Sequence, residues 1–99
     1  MFSDAKHEMY RMVQERLMLE SVWSDYSVED MSAKHNYFGK SLVYKEHWGI
    51  PVTVRVAGDT MIDLWKAADS AIRLSGDQHH VFIEKIELID DELVLTTGS

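Results

Sequence analysis

Cysteine is absent from this 99-residue chain. Disulfide frameworks, thiolate metal sites, thiol nucleophiles and redox sensing are thereby excluded, and the six methionines read as core or interface filler. Proline occurs once and glycine five times against 45% hydrophobic residues, a balance that lacks the polar bias of disordered chains. No apolar run approaches the length needed to cross a bilayer. Charges interrupt every apolar group of "MFSDAKHEMYRMVQERL", so this segment holds no signal-peptide core, and a cytoplasmic protein without membrane attachment is expected. A phosphate-binding glycine loop, a nucleophile elbow and an HExxH helix are also missing, which leaves the enzyme classes with readable motifs without support. No cofactor is expected.

The length fits one domain, residues 1–99, with material for a single core. The net charge of -7 is unevenly placed. Residues 1–58 carry eight acids and seven bases, whereas residues 59–99 carry nine acids and three bases. Direct nucleic-acid binding needs a basic stripe, so this field argues against it and favours a basic protein partner or none.

Hydrophobic spacing predicts an amphipathic helix between Asp4 and Trp23, with Met9, Met12, Val13, Leu17, Leu19 and Val22 on its apolar side. Tyr10 and Met18 widen that stripe, and the surplus reads as core or as a contact with a second subunit. "SDYSVEDMSAKHN" is a polar connection in which Ser27 and Asp30 suggest a short capped turn of helix through Met31. Alternation then predicts a strand from Tyr37 to Glu46, with Leu42 and Tyr44 opposite Ser41 and Val43. "IPVTVRVAG" predicts a second strand, with Val52, Val54 and Val56 opposite Thr53 and Arg55. A hairpin turning near Trp48 and Gly49 joins the two.

Both ends of the next helix are written in "GDTMIDLWKAADSAIRLSG". Thr60 and Asp63 make a capping box, and Gly76 supplies a left-handed stop. Two further strands follow in "HHVFIEKIELI" and "ELVLTTG", with a hairpin at Asp90 and Asp91. Val81 and Ile83 share one parity while Ile86 and Leu88 share the other, so a bulge or bend near Glu84 and Lys85 is expected. The element order α-β-β-α-β-β implies a two-layer α+β fold, a four-stranded and mainly antiparallel sheet with two helices on one face. The other sheet face is expected to be open or to form a homodimer, with Tyr37, Tyr44, Trp48 and Phe82 as candidates for that surface.

The candidate ligand or partner surface comprises Trp48, Arg55, His79, His80, Phe82 and Glu84. Arg55 and Trp48 can frame a small-molecule pocket or merely cover a sheet face. His79 and His80 are adjacent, so in a strand they point to opposite faces and cannot share one metal ion without distortion. One of them with Glu84, joined by Asp77 or His47, is the alternative reading of a small enzyme or a zinc or iron protein. His80 and Glu84 share parity, but strand spacing sets them about 13 Å apart. A third reading takes Glu84, Glu87, Asp90, Asp91 and Glu92 as an acidic mimic of nucleic-acid phosphates. The leading expectation is a non-catalytic binding or interaction module, homodimeric, using an exposed sheet face or a cleft beside the second helix.

The segment "DLWKAADSAIRLSGDQHHVFIE", residues 63–84, resembles a helix-turn-strand pattern of small proteins of unknown function carried on bacterial mobile gene cassettes. The resemblance covers about a quarter of the chain and implies a compact bacterial α+β protein with an accessory role. It carries no activity and no site residues.

Overall fold

The computed structural model describes residues 4–25, 27–28, 30–45, 50–76 and 79–98. The elements in chain order are α1 (Asp4–Leu17), β1 (Val22–Trp23), β2 (Ser41–Tyr44), β3 (Val52–Arg55), α2 (Met61–Ser75), β4 (Phe82–Ile89) and β5 (Glu92–Gly98). Their class is α+β, but the sheet has five strands in the order β1-β4-β5-β2-β3. It is mixed: β2–β3 and β4–β5 pair antiparallel, whereas β1–β4 and β2–β5 pair parallel. The expected four-stranded, mainly antiparallel sheet is therefore corrected on both counts.

The physical reason lies in the single helix between the hairpins. One helix carries the chain back along the sheet, so β4 runs in the direction of β3. Each hairpin partner opposes its own strand, and β2 and β5 consequently run alike where the hairpins meet. The fifth strand, Val22–Trp23, is two residues long, too short to show a period, and it exists only because β4 lies beside it.

Other boundaries shift for local reasons. The first helix stops at Leu17, well before Trp23. Met18 takes the left-handed φ of 55° there. Leu19 N donates to Gln14 O at 2.9 Å and Met18 N to Glu15 O at 3.3 Å, the paired bonds of a Schellman stop in which Met18 occupies the position that glycine usually fills. The described residues 27–28 and 30–33 include no helix. The amide and hydroxyl of Ser27 both bond Asp25 Oδ1, at 3.1 and 2.6 Å, and Ser32 does the same to Asp30. Short side chains have taken over the bonds a helix would need. The strand expected from Tyr37 begins only at Ser41, after a turn at Phe38 and Gly39. The expected turn at Trp48 and Gly49 lies outside the described residues.

The parity break in β4 is a bulge. Ile83 faces Thr97 but Lys85 faces Thr96, so Glu84 is the extra residue. The insertion returns Ile86 to the face of Ile83, opposite buried Leu95. Asp90 and Asp91 form the two-residue hairpin turn with φ of 51° and 68°, both positive as the strand twist requires. Leu42, Tyr44, Ile83, Leu93 and Leu95 then meet Trp65, Ala68, Ala71 and Ile72 of α2 in one core, with Tyr10 of α1 joining them. Tyr44, a candidate for the open face, is instead fully buried and shares a hydrogen bond with Thr97 at 2.8 Å. Its parity with Leu42 leaves no other place for it.

Helix α2 starts as its sequence implies. Thr60 is the N-cap, the reciprocal Thr60–Asp63 box is present, and Gly76 closes the helix at φ 82°. The first helical amides are satisfied by the preceding connection: Met61 N donates to Ala33 O and Ile62 N to Met31 O. Loop 30–35 is thus bolted to the start of α2, with Met31 only 2% exposed.

Replacing Met18, 80% exposed, by glycine relieves the left-handed backbone and should raise stability by about 0.5 kcal/mol in urea denaturation. Thr60→Ala should cost about 1 kcal/mol. The Asp63 carboxyl is held below its ordinary value of 3.8, first by the Thr60 side-chain hydrogen bond, against the raising effect of burial and with help from the Thr60 amide, Lys66 and His35. A depressed carboxyl contributes stability above its unfolded value and loses it as pH falls through the lower folded value. Asp63→Asn should therefore be less stable than wild type at neutral pH and should narrow the gap below pH 3.8, as read from denaturation midpoints across acid pH.

Candidate functional site

Of the six residues singled out from the sequence, five are described, and Arg55 stands apart from Phe82 and Glu84. Arg55 is on the edge strand β3, where it donates to Gly39 O at 2.7 Å and lines a groove of about 290 Å³ with Asp63, Lys66 and Ser70 of α2. Phe82, 39% exposed, and Glu84 belong to β4, separated from β3 by two strands or roughly 14 Å. Glu84 occupies the bulge, and its carboxylate lies over Gly98, where any side chain would have to push it aside. His79 and His80 precede the strand rather than opening it, the first exposed and the second half-buried. Trp48, with the candidate co-ligands His47 and Asp77, lies outside the described residues. Among the described residues no three His, Asp or Glu side chains converge as a metal site.

Polar groups converge elsewhere, in a cleft of about 380 Å³ between the 25–37 connection and the start of α2. Its floor is apolar: Trp23, Val28, Met61, Leu64 and Ile86. Its rim carries Asp25, Ser27, Lys34, His35, Asn36 and Tyr37. Trp23 is fixed from two sides, donating from Nε1 to Asp25 O at 2.8 Å and lying against Trp65 at a centroid distance of 5.7 Å. Tyr10 pins the same connection, its hydroxyl donating to Val28 O at 2.5 Å.

His35 is the unusual member of this rim. Its Nδ1 accepts from Tyr37 N at 2.9 Å, so the ring proton belongs on Nε2. The rings of His35 and Tyr37 stack at 5.4 Å. Nε2 is buried and meets no acceptor among the described residues. A buried donor without an acceptor costs roughly 1–3 kcal/mol, and such groups call for a functional or solvent partner. Asp30 nearby is committed: Ser32, through its side chain and then its amide, holds the carboxyl below its ordinary value.

A second polar constellation is structural. Asp69 of α2 is 3% exposed, and its Oδ1 accepts from Glu20 N, Ser21 N and Ser21 Oγ at 2.9, 2.7 and 2.6 Å. Trp65 Nε1 donates to Ser21 Oγ at 2.9 Å. Arg73 Nε bonds Asp69 Oδ2 at 2.8 Å while its Nη2 reaches Met18 O at 2.7 Å. The serine and aspartate do not make a nucleophile pair, because Ser21 is fully buried and hydrogen-bonded between a carboxylate and an indole. The network ties α1's exit to α2.

The cleft residues carry no motif by which sequence reading could find them. The available signal was length: residues 24–40 link β1 to β2, the described ones among them in neither strand nor helix, and connections of this size in small domains are often functional. No protein-family model, curated protein or solved structure matches the chain.

Asp69→Ala strands three donors in the interior and should cost about 3 kcal/mol or more. Arg73→Ala should cost about 1 kcal/mol, since its side chain is 45% exposed and the ion pair is screened by water. Urea midpoints of the two variants check this ranking.

Proposed function

We propose that this chain is a non-catalytic binding module whose ligand is a small amphipathic molecule seated in the cleft between the 25–37 connection and α2. One observation carries the reading. Polar side chains converge over an apolar floor at a rigid helix start, and one of them, His35, holds a buried N–H that lacks an acceptor among the described residues. A volume of about 380 Å³ suits a small ligand.

The ligand class follows from the lining. The indole and aliphatic floor favours a flat or branched apolar body, and the rim favours a carbonyl, carboxylate or similar acceptor. Nε2 is closed to solvent, so an acceptor reaches it as the neighbouring side chains part. Lys34 sits 3.8 Å from Asp59 with most of its side chain exposed and can swing toward an acidic group. Recognition without turnover also accords with the accessory role implied by the cassette-protein resemblance.

The test is a fragment screen read by amide chemical shifts of the labelled protein, using small aromatic and branched aliphatic acids and amides. Shifts should cluster at residues 25–37 and at Met61–Leu64, and Asn36→Trp, which fills the exposed rim, should weaken binding at least tenfold, or about 1.4 kcal/mol. Hits confined to other surfaces, or affinities unchanged in Asn36→Trp, overturn the assignment.

A further inference from the structure

Helix α1 is thinly covered for its composition. Among its described side chains only Tyr10 is buried, while Met12 is 52% and Leu17 38% exposed. Ala5, Met9, Met12, Val13 and Leu17 line a groove of about 490 Å³ whose far wall includes Ile62 of α2. Two charges belong to the same lining, Glu8 and Arg16.

Their spacing carries the argument. Glu8, Met12 and Arg16 stand four residues apart, so they form one line along the helix with the methionine midway between opposite charges. A two-fold axis through Met12 lays a second α1 antiparallel to the first. In that register each Glu8 faces the partner's Arg16, and the two Met12 side chains meet on the axis. A surface that is complementary to itself under a two-fold rotation is the requirement for an isologous dimer. Arg16 makes no ion pair within the chain among the described residues, whereas Glu8 is held only by the exposed Arg11, an i,i+3 neighbour. The exposed apolar strip and the reversed charges thus have the same match, and it is another α1.

We infer that this chain forms a homodimer through antiparallel pairing of its α1 helices, centred on Met12 and registered by Glu8–Arg16 pairs. The occupant of the groove is a second copy. No residue lines both this groove and the ligand cleft, and the inference stands or falls independently of that reading.

Sedimentation equilibrium over about 1 μM to 1 mM tests it on the full chain. Wild type should pass from 11.4 kDa to twice that mass with a dissociation constant in the micromolar range. Met12→Lys places two like charges on the axis and should raise that constant on the order of a hundredfold, the symmetry counting each loss twice. Glu8→Arg and Arg16→Glu should each weaken the dimer about tenfold, and the double variant Glu8→Arg/Arg16→Glu should restore it, since the exchange regenerates both pairs. Circular dichroism on every variant separates loss of association from loss of helix. A wild type that stays monomeric throughout, whatever else binds the groove, overturns the inference. So does a dimer indifferent to Met12→Lys, or a folded double variant no tighter than its parents.

Discussion

The buried carboxylate of Asp69 is the constraint on which the rest of the molecule hangs. Three donors from Glu20 and Ser21 point at one oxygen, and Arg73 holds the other while also gripping the carbonyl of left-handed Met18. An interior charge is tolerable only with such a complete set of partners. Once that set is made, the chain leaving α1 has one path, which places Val22 and Trp23 alongside Phe82 and Ile83. The fifth strand, the Trp23–Trp65 contact and the apolar floor of the cleft all follow from it.

The opposite end of α2 is held as firmly by a different device. Its capping box serves one helical amide, and carbonyls of Met31 and Ala33 serve two more. A connection whose described residues form no helix or strand thereby gains a rigid anchor, and polar side chains on a loop so held can keep a fixed arrangement. His35 belongs to this segment: its backbone amide is bonded to Asp59 O at 2.8 Å and its Nδ1 to Tyr37 N. The cost of the arrangement is a buried Nε2 donor that meets no acceptor among the described residues.

The two helices divide structure from surface. Alanines at 67, 68 and 71 let α2 approach the sheet closely, and eight of its residues are buried. Helix α1 is moored by the Tyr10 hydroxyl and by Gln14, whose side-chain amide donates to Ser21 O at 2.7 Å. This mooring leaves Met12 and Leu17 exposed on the apolar side of the helix. A chain of this size has little core to spare, and an exposed apolar flank of this kind is the surface on which the proposed pairing of two α1 helices rests.

What could be read without coordinates was whatever short-range chemistry dictates. Thr60, Asp63 and Gly76 set the ends of α2 because caps act within a few residues. The change of parity after Ile83 announced the bulge at Glu84, since one inserted residue keeps Ile83 and Ile86 on one face, and Asp90–Asp91 marked the hairpin. Long-range balance lay beyond such patterns. The parallel pairing of β2 with β5 comes from the return path of α2, and the two-residue β1 from the Asp69 network. Burial of Tyr44, though consistent with its parity, needed the sheet's inner face to be known. Likewise Arg55, Phe82 and Glu84 were conspicuous as residue types, yet two strands separate Arg55 from the other two. The cleft instead gathers residues with no local signature, because convergence of side chains from a loop, a helix start and a strand is a property of distances through space, and sequence separation does not encode those distances.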